Sequence, residues 1–121
     1  MKYLIALNEI NGLGPVAIKK LVDHFENGKN IFNSSYNDLS NAGLTTTIIS
    51  EIHKKAILEK ANRWIELANK NSIQIISYRD KEYPKMLLEI SALPTIIYIK
   101  GSVDILNNQR SIAIVGTRNP D

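Results

Sequence analysis

The sequence predicts an α/β chain with a helical first half and, after it, strands interleaved with short helices. Three observations carry this. Apolar residues recur at threes and fours as far as about residue 71. After Asn71-Ser72 that rhythm stops and short β-branched runs take over. The last run, Ile112-Ala113-Ile114-Val115, ends abruptly in Gly116-Thr117-Arg118. That is how a buried parallel strand reads when it delivers a loop to the carboxyl edge of an α/β sheet. The change of period sets a boundary near residue 72, with a helical unit over 1–71 and a strand-bearing unit over 72–121.

Composition narrows the class. A chain of 121 residues buries one modest core, or one small domain plus part of another. Apolar content of 44% with 22% charged residues is that of a soluble globular protein. No apolar run approaches membrane-spanning length. The segment Met1 to Glu9 has too short an apolar core for a signal peptide. The absence of cysteine excludes disulfides and thiolate metal sites, and His24 and His53 lack the clustered carboxylates of a metal centre. The expectation is a cytoplasmic protein with no metal, no cofactor and no membrane contact. A net charge of +3 and a pI near 9.2 tolerate an anionic partner without requiring one.

The helices follow in order. Leu4, Ile5, Leu7 and Ile10 form a short apolar face. Asn11-Gly12-Leu13-Gly14-Pro15 is a turn whose proline suits the first position of a new helix. Ile18, Leu21, Val22 and Phe25 then recur at i, i+3, i+4 and i+7, and Asn27-Gly28 reads as a left-handed cap. Two short helices around Gly-Leu-Gly resemble the helix-hairpin-helix motif of DNA-binding proteins, through Ile10, Gly12, Leu13, Gly14, Ala17, Leu21 and Val22. In such motifs the glycines bring helix N-terminal amides to a DNA phosphate, and a helix N-terminus is an anion site on physical grounds. Gly12 and Gly14, with Lys19 and Lys20, are therefore a possible secondary DNA contact. A tight turn with solubilising lysines explains the same residues equally well.

Ile31 and Phe32 read as a buried foot in a polar linker. Tyr36 to Leu44 is a short helix ending at Gly43, with Thr45 or Thr46 capping the next helix. This is a weaker copy of the first hairpin. From Thr46 to about Asn71 a single helical pattern runs through Ile48, Ile49, Ile52, Ala56, Ile57, Ala61, Trp64, Ile65 and Ala68. Glu51 with Lys55 and Glu66 with Lys70 are its i,i+4 pairs. Trp64 falls at core spacing, which favours packing over base stacking, and both histidines read as surface or satisfied residues.

Beyond residue 72, Ile73, Ile75, Ile76 and Tyr78 form a first strand, and Arg79 to Glu82 a polar loop. Tyr83-Pro84 opens a turn or short helix through Met86, Leu87, Leu88 and Ile90. Pro94 precedes a second strand, Thr95 to Lys100, stopped by Gly101. Residues 103–106 make one helical turn, and Ile112 to Val115 is the third strand. At its end Gly116 permits close backbone approach, Thr117 offers a hydroxyl, and Arg118 presents a planar fork of donors suited to phosphate.

Three pieces in this order resemble the DprA/Smf DNA-processing proteins of bacterial natural transformation. They are Asp80-x-x-Tyr83-Pro84-x-x-Leu87-x-x-Ile90, then Leu93-Pro94-x-Ile96-x-Tyr98-x-Lys100-Gly101, then Ile112 to Arg118. Each alone is a cheap match; the series behind a helix-hairpin-helix-like segment is specific. The resemblance implies a SAM-like or helix-hairpin-helix bundle ahead of an extended Rossmann-like domain, of which this chain holds the first strands. It implies a non-catalytic protein that binds single-stranded DNA, shields it from nucleases and loads the RecA recombinase, acting as a homodimer at full length. It assigns Gly116, Thr117 and Arg118 to the DNA pocket, with the arginine on a phosphate. The later Ser-Gly-Leu-Ala and Gly-Ile-Asp loops of the family are absent, so the expected site is half of one.

Two other readings stay open. A nucleotide-binding or nucleotide-processing Rossmann-like enzyme would use the Gly116 loop for a cofactor or substrate phosphate. No G-x-G-x-x-G follows the third apolar run, which weakens dinucleotide binding. A helical module that docks a protein partner through residues 1–71 is the other.

Overall fold

The computed structural model describes residues 1–108 and 110–119. Six helices precede a two-stranded antiparallel sheet, so the chain mixes α and β as its periodicity predicts. Helix α1 spans Lys2–Asn8, α2 Pro15–His24, α3 Gly28–Asn33, α4 Tyr36–Asn41, α5 Thr46–Ile52 and α6 Lys55–Lys70. Strand β1 is Ile73–Ser77 and β2 is Ile96–Lys100, with a 3-10 helix at Lys85–Glu89 between them.

Short helices need good ends, and side chains supply several. Asn27 accepts from the Asn30 amide at 2.9 Å to cap α3, Ser35 from Asp38 at 3.1 Å to cap α4, and Thr45 from Ile48 at 3.4 Å to cap α5. Thr45 is thus the cap that the sequence left shared with Thr46. Gly43, at φ +92°, ends the α4 region where the sequence places its stop.

Asn27-Gly28 does not close α2. The left-handed residue there is Glu26, at φ 71°, while Asn27 opens α3, a helix where the sequence suggests a linker. Gly28 serves close packing instead: a Cβ on it would lie 2.8 Å from the Tyr3 Cβ on α1. Ile31, fully buried, anchors α3 in the core.

The long helix read over 46–71 is two helices. Ile52 and Ile57 are both buried. In one continuous helix these positions, five apart, would point about 140° from each other. The break at His53-Lys54 turns both inward. It also changes the ion pairs: Glu51 meets Lys54, and Lys55 meets Glu59 at 4.0 Å. Among the described residues Glu66 and Lys70 form no ion pair. Ser72, at φ 55°, ends α6.

The main core joins Ile5, Ala6 and Leu7 of α1 to Ile18, Leu21 and Val22 of α2, with Ile31, Leu39, Ile49, Ile52, Ile57 and Ala61. The sheet lies against it through Ile75, Tyr78 and Ile96. Strand pairing runs from Ile73 opposite Lys100 to Ser77 opposite Ile96. Alternation along β2 therefore puts Ile96, Tyr98 and Lys100 on the helical side and Ile97 and Ile99 on the other. That second face covers a smaller cluster of Ile76, Tyr83 and Leu93. The Tyr83 hydroxyl donates to the Pro94 carbonyl at 2.6 Å, tying the Tyr83-Pro84 turn to the entry of β2. Gly101, at φ +122°, is the turn glycine the sequence predicts. Residues 103–106 form a single turn closed by the Leu106 amide on the Val103 carbonyl at 3.0 Å.

The third strand does not form. Ile112, Ile114 and Val115 are 91, 95 and 92% exposed, and the sheet of the described residues has two strands. A β-branched run becomes a strand only against a partner edge that satisfies its amides and carbonyls. Here none of the described residues offers one to this run.

Candidate nucleic-acid interface

The α1–α2 hairpin is built as its residue types require. Ile10 and Leu13 are buried, and the Leu13 amide donates to the Ile10 carbonyl at 3.2 Å. Gly12 sits at φ +86°, a backbone region that favours glycine. Gly14 is the N-cap of α2 in extended conformation, with no side chain capping the helix, and Pro15 follows at its first position. The first intrahelical bond runs from the Ile18 amide to the Gly14 carbonyl at 3.0 Å. The amides of Val16 and Ala17 therefore lie in the open first turn. A Cβ on Gly12 or Gly14 would meet nothing within 4 Å, so the space over this helix start is free.

The two lysines of this hairpin differ. Lys19 donates to Asp23 at 2.7 Å, and that hydrogen bond and charge hold its ammonium above the ordinary lysine range. Asp23 also lies 3.9 Å from Arg79, which donates to the Glu26 carbonyl at 2.7 Å. Lys20 is exposed and, among the described residues, makes no ion pair; it lines a cleft of about 310 Å³ with His24, Leu21 and the Ala42-Gly43-Leu44 turn. The second glycine turn thus shares this concavity with α2. His53 contacts the Ser34 carbonyl through Nε2 at 3.1 Å, as a satisfied surface histidine does.

Gly116, Thr117 and Arg118 stand together on an exposed, irregular stretch. Gly116 has open space around it, and Thr117 Oγ1 accepts from the Asn119 amide at 3.3 Å in a local turn. Arg118 makes no ion pair among the described residues. These three residues and the hairpin set Gly12, Gly14, Lys19 and Lys20 form separate groups, joined by no hydrogen bond or ion pair among the described residues. None of the described residues forms a cluster able to hold a metal ion, and no helix among them is long and apolar enough to cross a membrane.

Sequence profiles decide what this loop belongs to. The profile described as DNA recombination-mediator protein A matches residues 74–121, which contain the Tyr83-Pro84 turn, β2 and the Gly116 loop. Protein Smf of Synechocystis is 30% identical over 122 aligned positions, covering 98% of this chain.

The chain resembles the DprA/Smf proteins over nearly its whole length, and its second half matches their family profile.

The DNA processing protein DprA of Bacillus subtilis is 36% identical over 61 residues, half of this chain. The chain spans 31% of the length of the Synechocystis relative, and the second alignment covers 20% of the Bacillus one. No solved structure matches.

One feature of this surface escapes the periodicity. Trp64 stands at core spacing yet is 40% exposed, and with Leu67, Ala68, Ile73, Tyr98 and Glu9 it lines an apolar cleft of about 290 Å³ between α6 and β2. The spacing of Trp64 places it at the edge of the α6 apolar stripe, not its centre, which single-residue counting does not resolve.

Proposed function

We propose that the chain forms part of a non-catalytic single-stranded DNA-binding protein of natural transformation, which shields incoming DNA and loads the RecA recombinase on it. In this reading residues 1–71 are a SAM-like, helix-hairpin-helix bundle and residues 72–121 begin a Rossmann-like DNA-binding domain. The protein works in the cytoplasm as a homodimer. Gly116, Thr117 and Arg118 meet the DNA, with the guanidinium on a phosphate, and Gly12, Gly14, Lys19 and Lys20 are a secondary contact.

One observation carries the reading. The segment matched by the DNA recombination-mediator profile holds a glycine-threonine-arginine loop that is fully open and, among the described residues, free of ion pairs. An arginine without an ion pair among the described residues, beside a threonine hydroxyl and an unhindered glycine backbone, suits an anionic chain.

The test is fluorescence anisotropy of the protein with labelled oligothymidylate across a salt titration. Arg118→Ala should weaken binding and flatten the dependence of log K on log salt by about 0.7, the value of one single-strand phosphate contact. Unchanged affinity and slope would remove Arg118 from the interface.

A further inference from the structure

The cleft of Trp64 and Tyr98 lies apart from both groups of residues assigned above. Its walls are almost wholly apolar: Trp64, Leu67 and Ala68 from α6, Ile73 from β1 and Tyr98 from β2. Two of those walls are flat rings, each 40–49% exposed. Among the described residues neither the Trp64 Nε1 nor the Tyr98 hydroxyl has a hydrogen-bond partner. Its volume of about 290 Å³ sits at the small end of ligand-binding cavities, which run from roughly 300 to 1,000 Å³.

On α6 and β2 the cations without an ion pair among the described residues, Arg63, Lys70 and Lys100, outnumber the unpaired carboxylates, of which Glu66 is one. Glu9, the carboxylate on its wall, is neutralised by Lys60 at 2.5 Å, and Glu59 is taken up by Lys55 at 4.0 Å. Arg63, which shares a smaller hollow with Lys60, Trp64 and Leu67, makes no ion pair among the described residues. Neither does Lys70, one helical turn beyond Leu67, nor Lys100, which pairs with Ile73 across the sheet on the face that carries Tyr98. Arg63, Lys70 and Lys100, unpaired among the described residues, thus stand on the elements that wall this apolar, aromatic hollow. An apolar peptide seated here would have to desolvate those cations without a counter-charge, at a net cost. A single-stranded nucleic acid meets both demands, with planar rings for the hollow and phosphates for the cations.

We propose that this cleft is a second single-strand contact, in which an unstacked base lies against Trp64 and Tyr98 while Arg63, Lys70 and Lys100 hold the flanking phosphates. The proposal rests on the single-stranded DNA reading given above, but places a contact on the α6–β2 face, away from Arg118.

Trp64 is the chain's one tryptophan, so it reports its own occupancy. Titrating the 121-residue chain with oligothymidylate should quench its fluorescence to saturation. An abasic oligomer of equal length and charge should quench little and bind less well. Trp64→Leu, which keeps the hollow apolar, should weaken oligothymidylate binding about tenfold by anisotropy, the loss expected for one stacked base. Arg63→Ala should weaken it further as salt falls, with circular dichroism unchanged in both variants. If the chain binds oligothymidylate with Trp64 fluorescence unmoved and Trp64→Leu binds equally well, the cleft proposal fails and the single-strand reading stands. Equal binding of the abasic oligomer also overturns the base seat. If no variant and not the parent chain binds, both readings fall. If Trp64→Leu changes only the sedimentation of the chain, the cleft is a protein contact and the proposal is wrong.

Discussion

Asn8 and Thr95 exchange two hydrogen bonds across the body of the chain. The Asn8 amide donates to Thr95 Oγ1 at 2.8 Å, and the Thr95 hydroxyl donates back to Asn8 Oδ1 at 3.2 Å. Thr95 is completely buried just ahead of β2, and Asn8 closes α1. This pair stitches the sheet to the first helix beside the cleft that Glu9 and Tyr98 line. Its two ends are unequal. Removing Thr95 leaves Asn8, which is exposed, free to turn to water; removing Asn8 strands a buried hydroxyl. Thr95→Val should therefore cost about 1 kcal/mol and Asn8→Ala about 1–3 kcal/mol in urea unfolding. Equal, negligible losses would mean that the stitch carries no stability.

Tyr83 links the 3-10 turn to β2 through its hydroxyl on Pro94, and burial pushes its phenol above the ordinary tyrosine value. The folded state thus favours the protonated phenol. Below the unfolded value of 10.0 both states hold the proton and the full stability is present. As pH rises past it the unfolded chain loses its proton first, so stability falls with pH until the folded phenol also ionises. Tyr98, raised by burial and then by Glu9, adds to the same slope. Tyr83→Phe should lower stability by about 1 kcal/mol at neutral pH and lessen the alkaline decline. An identical alkaline slope in the variant would exclude Tyr83 as its source.

The glycines divide by mechanism. Gly28→Ala drives a Cβ to 2.8 Å from the Tyr3 Cβ, an atom close to the backbone that cannot swing away. The overpacking should cost about 1–3 kcal/mol. Gly12→Ala meets no neighbour and suffers only its φ of +86°, about 1–2 kcal/mol. Replacing Tyr3 by Ala leaves its Cβ in place, so it should not rescue Gly28→Ala; a Gly at position 3 should. Thermal melts of the single and double variants distinguish these cases.

Legibility in the sequence followed locality. The hairpin of α1 and α2, the cap at Thr45, the stop at Gly43 and both strands were readable because each rests on neighbours within one turn or one strand. The division of α5 from α6 was not, because His53 and Lys54 carry no breaker signal and the break is set by the need of Ile52 and Ile57 to reach one core. Asn27-Gly28 misled for the same reason: the contact that requires the glycine comes from Tyr3, far away in sequence. Of the candidate site, the residue types at Gly116, Thr117 and Arg118 were legible. The Trp64–Tyr98 cleft was not, since its walls come from α6, β1 and β2, and Tyr98 reaches it only through the pairing of the two strands.

The run Ile112 to Val115 misled in the most instructive way. Its composition is that of a strand, yet Ile112, Ile114 and Val115 are more than nine-tenths exposed. A short, uncharged, β-branched segment that presents its backbone and side chains to water is a template for pairing with another copy. The 121-residue chain should therefore self-associate with rising concentration in sedimentation velocity. Ile114→Lys should suppress that association, because a charge on the segment costs far more in a packed pair than in water. The helical core, which does not contain Ile114, should melt as before. A chain that stays monomeric at high concentration, or a variant that associates as strongly as its parent, would show that this run pairs with nothing on its own.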